Sequence, residues 1–258
     1  MGTSHMSLLR ATGLAVGFGG QPLIEGVDLH LNAGECVALI GLNGAGKSTL
    51  VNSLAGLHDP MAGRVEVEGR PLTELSANER AKRIAMVLTG RPQVGLLDVR
   101  TLVALGRQPW TGHFGRLAAK DLDRVQNAMI ATDTLPLADR AVSQLSDGEA
   151  QRVLIARALA QDTAMLLLDE PMAFLDLVNR VRILRLLRDL AHEQHKGVLL
   201  STHDLGSALE LCDRIFLVHD RQLWSGTTDE ARTSGFLQRA FAVEGLQFDA
   251  GTGSFRSV

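Results

Sequence analysis

Two cysteines in 258 residues are too few for a disulfide framework. Cys36 and Cys212 both stand in apolar surroundings and read as free buried thiols of a reducing compartment rather than as a bridge. Long hydrophobic runs are missing too. A bilayer-spanning helix needs about 18 consecutive apolar residues, and the longest strongly apolar runs, such as AMLLL at 164–168, are only strand-length. Positive charge is not in excess: a net charge of −3 and a pI near 6.2 argue against a nucleic-acid binder that relies on a basic surface. Nothing near the start has the form of a signal peptide. MGTSHM has the look of an expression-vector remnant, so the natural chain is expected to begin near Met6, and residues 1–5 stay outside the fold argument. No internal repeat and no low-complexity linker interrupt the chain. A soluble, cytosolic protein is expected.

What is present is ordinary globular material, 45% hydrophobic and 21% charged, enough for one large α/β domain or two small ones. VDLHL at 27–31 alternates, putting Val27, Leu29 and Leu31 on one face of a half-buried antiparallel strand, and RVEVEG at 64–69 does the same before a glycine turn. ECVALI (35–40), AMLLLD (164–169) and GVLLST (197–202) are unbroken apolar runs, the pattern of strands buried on both faces. Helical spacing follows: Leu50, Leu54 and Leu57 after the first, and Ile183, Leu186, Leu187, Leu190 and Ala191 after the second. Buried strands alternating with amphipathic helices predict an α/β fold with a mostly parallel sheet covered on both sides. Residues 98–161 have helical periodicity and no convincing buried strand, which predicts a helical insertion; from 215 onward a small hairpin and a terminal strand are expected.

GLNGAGKST at 41–49 matches G-x-x-x-x-G-K-[ST] between a predicted strand and a predicted helix at 47–57. Gly41, Asn43, Gly44, Ala45 and Gly46 supply a loop whose amides can wrap phosphates. Lys47 reaches the β and γ phosphates, and the Ser48 hydroxyl, followed by Thr49, is offered to Mg2+. This pattern predicts binding of a nucleoside triphosphate. MLLLDE at 165–170 puts two carboxylates at a strand exit: Asp169 to hold Mg2+, directly or through water, and Glu170 as general base for the attacking water. His203 in STHD ends another core strand and is either a structural histidine or a γ-phosphate contact.

In QLSDGEAQ (144–151), Ser146 and Glu149 have the spacing of a capping box at the start of a helix. Gly148 in that first turn weakens a helix by roughly 1 kcal/mol relative to alanine. Either the helix tolerates it, or something large must approach this backbone closely.

A P-loop, then LSDGE (145–149), then LLLDEP, then a histidine: this ordered set resembles the nucleotide-binding subunit of an ABC transporter, over essentially the whole natural chain. The resemblance implies one ATPase domain over 6–258, with an N-terminal antiparallel β subdomain and a helical subdomain at 98–161 inserted in the core. It implies ATP and Mg2+ as cofactors, and a head-to-tail homodimer in which each ATP lies between one P-loop and the partner's signature, here Ser146, Asp147, Gly148 and Glu149. The Ser146 hydroxyl and Gly148 amide would then meet the opposite γ-phosphate, which would explain the glycine. Asp147 and Glu149 replace the family's usual glycine and glutamine. Either they point away from the phosphates or closure is weakened.

By position, Phe18 resembles the aromatic residue that stacks on adenine, against a plain core phenylalanine, and Asp176 resembles the aspartate through which the two subunits communicate. Where the family carries a glutamine linking Mg2+ to the permease, this chain has Thr89; Gln93, four residues on, is the other candidate. VRTLVALGRQPWTGHFGRL (99–117) is similar to the corresponding region of importers for ferric siderophores, haem and cobalamin, where it helps to receive a permease helix. Trp110 and Phe114 are otherwise packing residues. The implied partners are transmembrane permease subunits and, indirectly, a substrate-binding protein, with the chain peripheral on the cytoplasmic face of the membrane and no nucleic acid bound. The alternatives are an importer of another substrate, or a soluble ABC ATPase acting on a macromolecular complex.

Overall fold

A computed structural model describes residues 7–90, 95–112, 115–241, 246–249 and 254–257. Gln93, Phe114 and the suspected vector residues lie outside that set. The chain opens with strands β1 (Ser7–Phe18) and β2 (Gln21–Asn32), then β3 (Cys36–Gly41), helix α1 (Lys47–Leu54), β4 (Ala62–Val67) and β5 (Arg70–Pro71). Short helix α2 (Ala77–Ala81) and strand β6 (Ile84–Val87) lead to a helical stretch, α3 (Val99–Ala104), α4 (Ala119–Ala131) and α5 (Asp147–Gln161). There follow β7 (Met165–Leu168), α6 (Leu177–His192), β8 (Gly197–Ser201), α7 (Leu205–Leu211), β9 (Arg214–His219), β10 (Gln222–Thr227), α8 (Thr228–Thr233), α9 (Phe236–Ala240), β11 (Leu246–Asp249) and β12 (Ser254–Ser257).

The strands form an antiparallel sheet in the order β2-β1-β4-β5 and a larger sheet in the order β10-β9-β3-β8-β7-β6, with β11 pairing β12. In the larger sheet β3, β6, β7, β8 and β9 run parallel, and β10 closes one edge antiparallel. This is the expected α/β class. In β2 the alternation works as read: Val27, Leu29 and Leu31 are buried, while Asp28 and His30 are exposed. Every residue of β3, β7 and β8 is buried, so sequence pattern and two-sided cover agree. One core lies between the two sheets and α1. A second lies between the larger sheet and α5, α6 and α7, and a third inside the helical stretch. Helix α5 serves two of them, turning Leu154, Ile155 and Ala158 to the sheet and Val153, Ala156 and Ala160 to its helical neighbours. Cys36 and Cys212 are free and buried, their sulfurs 3.9 Å apart.

Three expectations need correction. The helix after the P-loop ends at Leu54, not 57. Gly56 adopts φ +72°, its N–H donates to the Ser53 carbonyl, and the Leu57 N–H donates to the Asn52 carbonyl, a Schellman stop that leaves Leu57 outside the helix and exposed. The small hairpin from 215 onward is present as β9 and β10, but its first arm is also a buried strand of the main sheet beside β3. The terminal segment holds two paired strands instead of one. Strands β1 and β6 carried no clear signal: β1 has several register shifts that break its alternation, and β6 is a four-residue edge strand.

Candidate functional site

In open parallel sheets, ligands bind beyond the carboxyl ends of the strands where the order switches. Here those ends belong to β3, β7 and β8, and each hands its next residues to one place. From β3 the chain enters the glycine-rich loop. A Cβ at Gly41 would sit 2.9 Å from the Val218 carbonyl oxygen, so the loop can leave the sheet there only without a side chain. Gly44 and Gly46 take φ +79° and +96°, the left-handed region open to glycine. Helix α1 starts at Lys47 with neither a side-chain cap nor an acidic residue in its first turn, so its N-terminal amides and dipole face outward for an anion. Asn43 and Gly44 are exposed, Ala45 half-buried and Thr49 buried, while Ser48 presents its hydroxyl at the surface. The Lys47 ammonium is buried and donates to the carbonyls of Gly41 at 2.9 Å and Leu42 at 3.2 Å. Burial pulls its pKa down, opposed by the charges of Glu170 and Asp169.

Asp169 follows β7 and is 4% exposed. Its carboxylate is held from both sides: the Ser201 hydroxyl donates to Oδ1 at 2.7 Å and the Thr89 hydroxyl to Oδ2 at 2.8 Å. Glu170 adopts a left-handed φ of +44°, and its N–H donates to the same Ser201 oxygen at 2.8 Å. That turn swings the Glu170 side chain to His203, whose Nδ1 lies 3.5 Å from Oε2. His203 is itself positioned by the start of α7, where Asp204 accepts from the Ser207 amide at 3.1 Å and pairs with Arg180.

The signature segment starts α5. Ser146 and Glu149 form a complete capping box: Glu149 Oε2 accepts from the Ser146 N–H at 2.8 Å and hydroxyl at 2.9 Å, and the Glu149 N–H donates back to the Ser146 oxygen at 3.3 Å. The Ser146 amide hydrogen bond holds the Glu149 carboxyl below its ordinary pKa, and Arg140, 3.2 Å from Oε1, adds to that. Asp147 occupies the same first turn. A Cβ on Gly148 would come within 3.1 Å of the Phe174 carbonyl, so the glycine has a reason within this chain itself. Asp176 caps α6, accepting from the Asn179 N–H and side-chain amide at 2.8 Å each. Phe18 is 61% exposed, tilted against His58 at 4.8 Å, which removes the core-residue alternation of roles for it. Trp110 is half-exposed and donates its indole N–H to the Gln161 carbonyl at 2.7 Å.

Thus Lys47, Asp169, Glu170, His203 and Thr89 form one neighbourhood, whereas Ser146–Glu149 packs beside Phe174 and Leu175, and Asp176 caps the next helix. Two participants escaped the sequence reading. Ser201 could have been noticed as the hydroxyl ending an otherwise apolar strand, GVLLS. Arg140 gives no local signal. For Mg2+, the donor set fits: a buried carboxylate and a surface hydroxyl are hard oxygen ligands, and this ion takes few protein groups because waters and phosphates complete its octahedron.

A P-loop at the switch point of a parallel sheet, followed by a buried aspartate and a glutamate, defines a nucleoside triphosphatase of the P-loop class. The chain belongs to the ABC transporter family, whose profile matches residues 24–173. It is 43% identical over 240 residues to the "Hemin import ATP-binding protein HmuV" of Nocardia farcinica, covering 90% of this chain and 82% of that protein. It is 35% identical over 239 residues to the "Probable siderophore transport system ATP-binding protein YusV" of Bacillus subtilis, covering 92% and 87%. Among solved structures, the dimeric bacterial ABC transporter cassette MJ0796 superposes with a TM-score of 0.76 at 25% identity, covering 85% of this chain and 98% of that one. The protein is therefore an ABC ATPase, an ATP-binding and ATP-hydrolysing cassette. No helix among the described residues is long and apolar enough to cross a membrane.

Proposed function

We propose that this chain is the energising subunit of an importer for a ferric siderophore, haem or cobalamin. The observation that carries the reading is the convergence of Lys47, Asp169, Glu170 and His203 at the strand ends, in a chain whose relatives bear hemin- and siderophore-import names. Residues 6–258 act as one ATPase domain, with 98–161 as its helical subdomain. Phe18 stacks on adenine, and the amides of the P-loop wrap the phosphates. Ser48 and Asp169 would hold Mg2+, which would supply charge neutralisation for the triphosphate.

Glu170 takes a proton from the water that attacks the γ-phosphorus as the bond to the β-phosphate oxygen breaks and ADP departs. His203 fixes the Glu170 carboxylate and faces the γ-phosphate, while Lys47 offsets the charge spreading over the transferred group. In a head-to-tail homodimer the partner's Ser146 hydroxyl and Gly148 amide close the second side. Asp176 carries the message between the two sites.

The surface around Trp110, between α2 and residues 105–112, receives a cytoplasmic helix of a membrane permease that is served by a substrate-binding protein. Ala77, Asn78, Ala81, Gln108 and Pro109 line an open groove there. The chain works on the cytoplasmic face of the membrane.

The deciding experiment is uptake of labelled ferric siderophore, haem and cobalamin in a strain lacking this protein, complemented with wild type or Glu170→Gln. Uptake of one cargo that needs wild type and fails with Glu170→Gln is the expected result. Indifference of all three cargoes would refute the assignment to the siderophore, haem and cobalamin importers. Purified Glu170→Gln should bind ATP normally and hydrolyse it at least about a hundredfold more slowly, the low end for loss of a general base.

A further inference from the structure

We infer that Thr89 is a positioning residue for Asp169, working one layer behind the cation at the position where the family resemblance leads one to expect a glutamine. The inference rests on the reading above of Asp169 as the carboxylate that holds Mg2+.

The geometry is specific. Thr89 Oγ1 lies 2.8 Å from Asp169 Oδ2 and 3.2 Å from the Asp169 carbonyl, so its single proton goes to the nearer, charged acceptor. The other oxygen, Oδ1, accepts from Ser201 at 2.7 Å. Two hydroxyls thus pin the carboxylate plane, and a carboxylate has about four lone-pair sites, which leaves the remaining sites for a cation or its water. Threonine is suited to this work, because branching at Cβ stiffens χ1 and holds the hydroxyl in one place. It is too short for the glutamine's work. Its oxygen sits directly on Cβ and is already spent on Asp169, whereas a glutamine carries its amide two carbons further out and could reach past that residue.

The backbone locks the same register. The Asp169 N–H donates to the Val87 carbonyl at 2.8 Å, and Thr89 returns two residues later to the carbonyl and carboxylate of Asp169. The exit of β6 is therefore tied to Asp169 through both its backbone N–H and its carboxylate. Partners of this kind orient a metal ligand, and their loss typically weakens metal binding by about 10- to 100-fold. Ser201 is fully buried and also serves the Glu170 amide, so it belongs to the folding of the site. Thr89 is exposed and, among the described residues, donates to Asp169 alone, so its removal is the cleaner test.

The experiment is Mn2+ binding to the ADP complex of the full chain, read by the loss of the free-ion EPR signal, for wild type, Asp169→Asn, Thr89→Val and Thr89→Ser. ADP affinity in EDTA serves as the fold control. The expected result is near-complete loss of the site in Asp169→Asn and at least about tenfold weaker Mn2+ binding in Thr89→Val. Thr89→Ser should bind close to wild type, and metal-free ADP affinity should be equal throughout. Unchanged or tighter Mn2+ binding in Thr89→Val, with Asp169→Asn defective, would overturn the inference while leaving Asp169 as the metal carboxylate. Wild-type binding by Asp169→Asn would instead overturn the metal reading, and the inference with it.

Discussion

Replacing Ser201 by alanine separates a structural hydroxyl from a decorative one. The Ser201 side chain has no exposed surface, donates to Asp169 Oδ1 at 2.7 Å and accepts the Glu170 N–H at 2.8 Å. Alanine removes both bonds without adding bulk. A hydrogen bond to a charged group contributes about 1.5–3 kcal/mol and a neutral one about 0.5–1.5, so the loss should be about 2–4.5 kcal/mol, provided that water does not enter. Against a total stability of about 5–15 kcal/mol this is a large fraction.

For a chain of this size each kcal/mol lowers the melting temperature by about 2–4 °C, which gives a fall of about 4–18 °C. The measurement is urea and thermal unfolding without nucleotide, with the denaturant slope checked for constancy. Thr89→Val is the internal control, because the other oxygen of the same carboxylate loses its donor at an exposed position where water can replace it. Its cost should be near the lower end for a single bond, about 0.5–1.5 kcal/mol. If Ser201→Ala costs no more than Thr89→Val, the carboxylate is not held by a dry network and the reasoning fails.

Three further outcomes follow from other parts of the molecule. Arg140 sits 3.2 Å from Glu149 and supplies its counter-charge. Arg140→Gln should therefore weaken ATP-dependent dimerisation by about fivefold or less, the scale of a partly exposed ion pair, and the defect should vanish in a Glu149→Gln background. Equal defects in both backgrounds, read by sedimentation of the Glu170→Gln protein, would exclude charge compensation. Phe18→Ala should leave the melting curve within about 0.5 kcal/mol, as exposed positions do, yet weaken nucleotide binding by about 1–3 kcal/mol through lost stacking; an unchanged fluorescent-nucleotide titration would remove Phe18 from the site.

The third concerns pH. A hydrogen bond with Cys212 and burial push the Cys36 thiol well above its ordinary pKa. The folded state then holds its proton in a range where the unfolded state has lost it, so stability is full below the ordinary thiol value and falls as pH rises past it. Urea midpoints compared at neutral and strongly alkaline pH should show a steeper fall for wild type than for Cys36→Ala, and parallel curves would contradict this.

How far the sequence reveals the site depends on whether a contact is made along the chain or across it. β3, β7 and β8 were legible because burial on both faces leaves no polar residue to interrupt the run. The capping box of Ser146 and Glu149 was legible because both ends of each bond lie within one turn. The P-loop was legible because backbone amides do its work and only glycines allow the path. The clamp on Asp169 obeys none of these conditions. Thr89 and Ser201 lie 80 and 32 residues away in sequence and meet the carboxylate only because the sheet order sets β6 and β8 on either side of β7. Strand order is decided by crossover packing and not by local pattern, and β6 itself is a short edge strand with little periodicity to read. Arg140 reaches Glu149 across nine residues of irregular chain, with no period to announce it. The catalytic groups are thus carried by local motifs, while the residues that orient them are fixed by topology. Two such orienting contacts stand at separate places in this chain, Thr89 on Asp169 and Arg140 on Glu149. The first satisfies a carboxylate by a neutral donor and the second by a counter-charge, so the two are tested through different readouts, metal binding and partner binding.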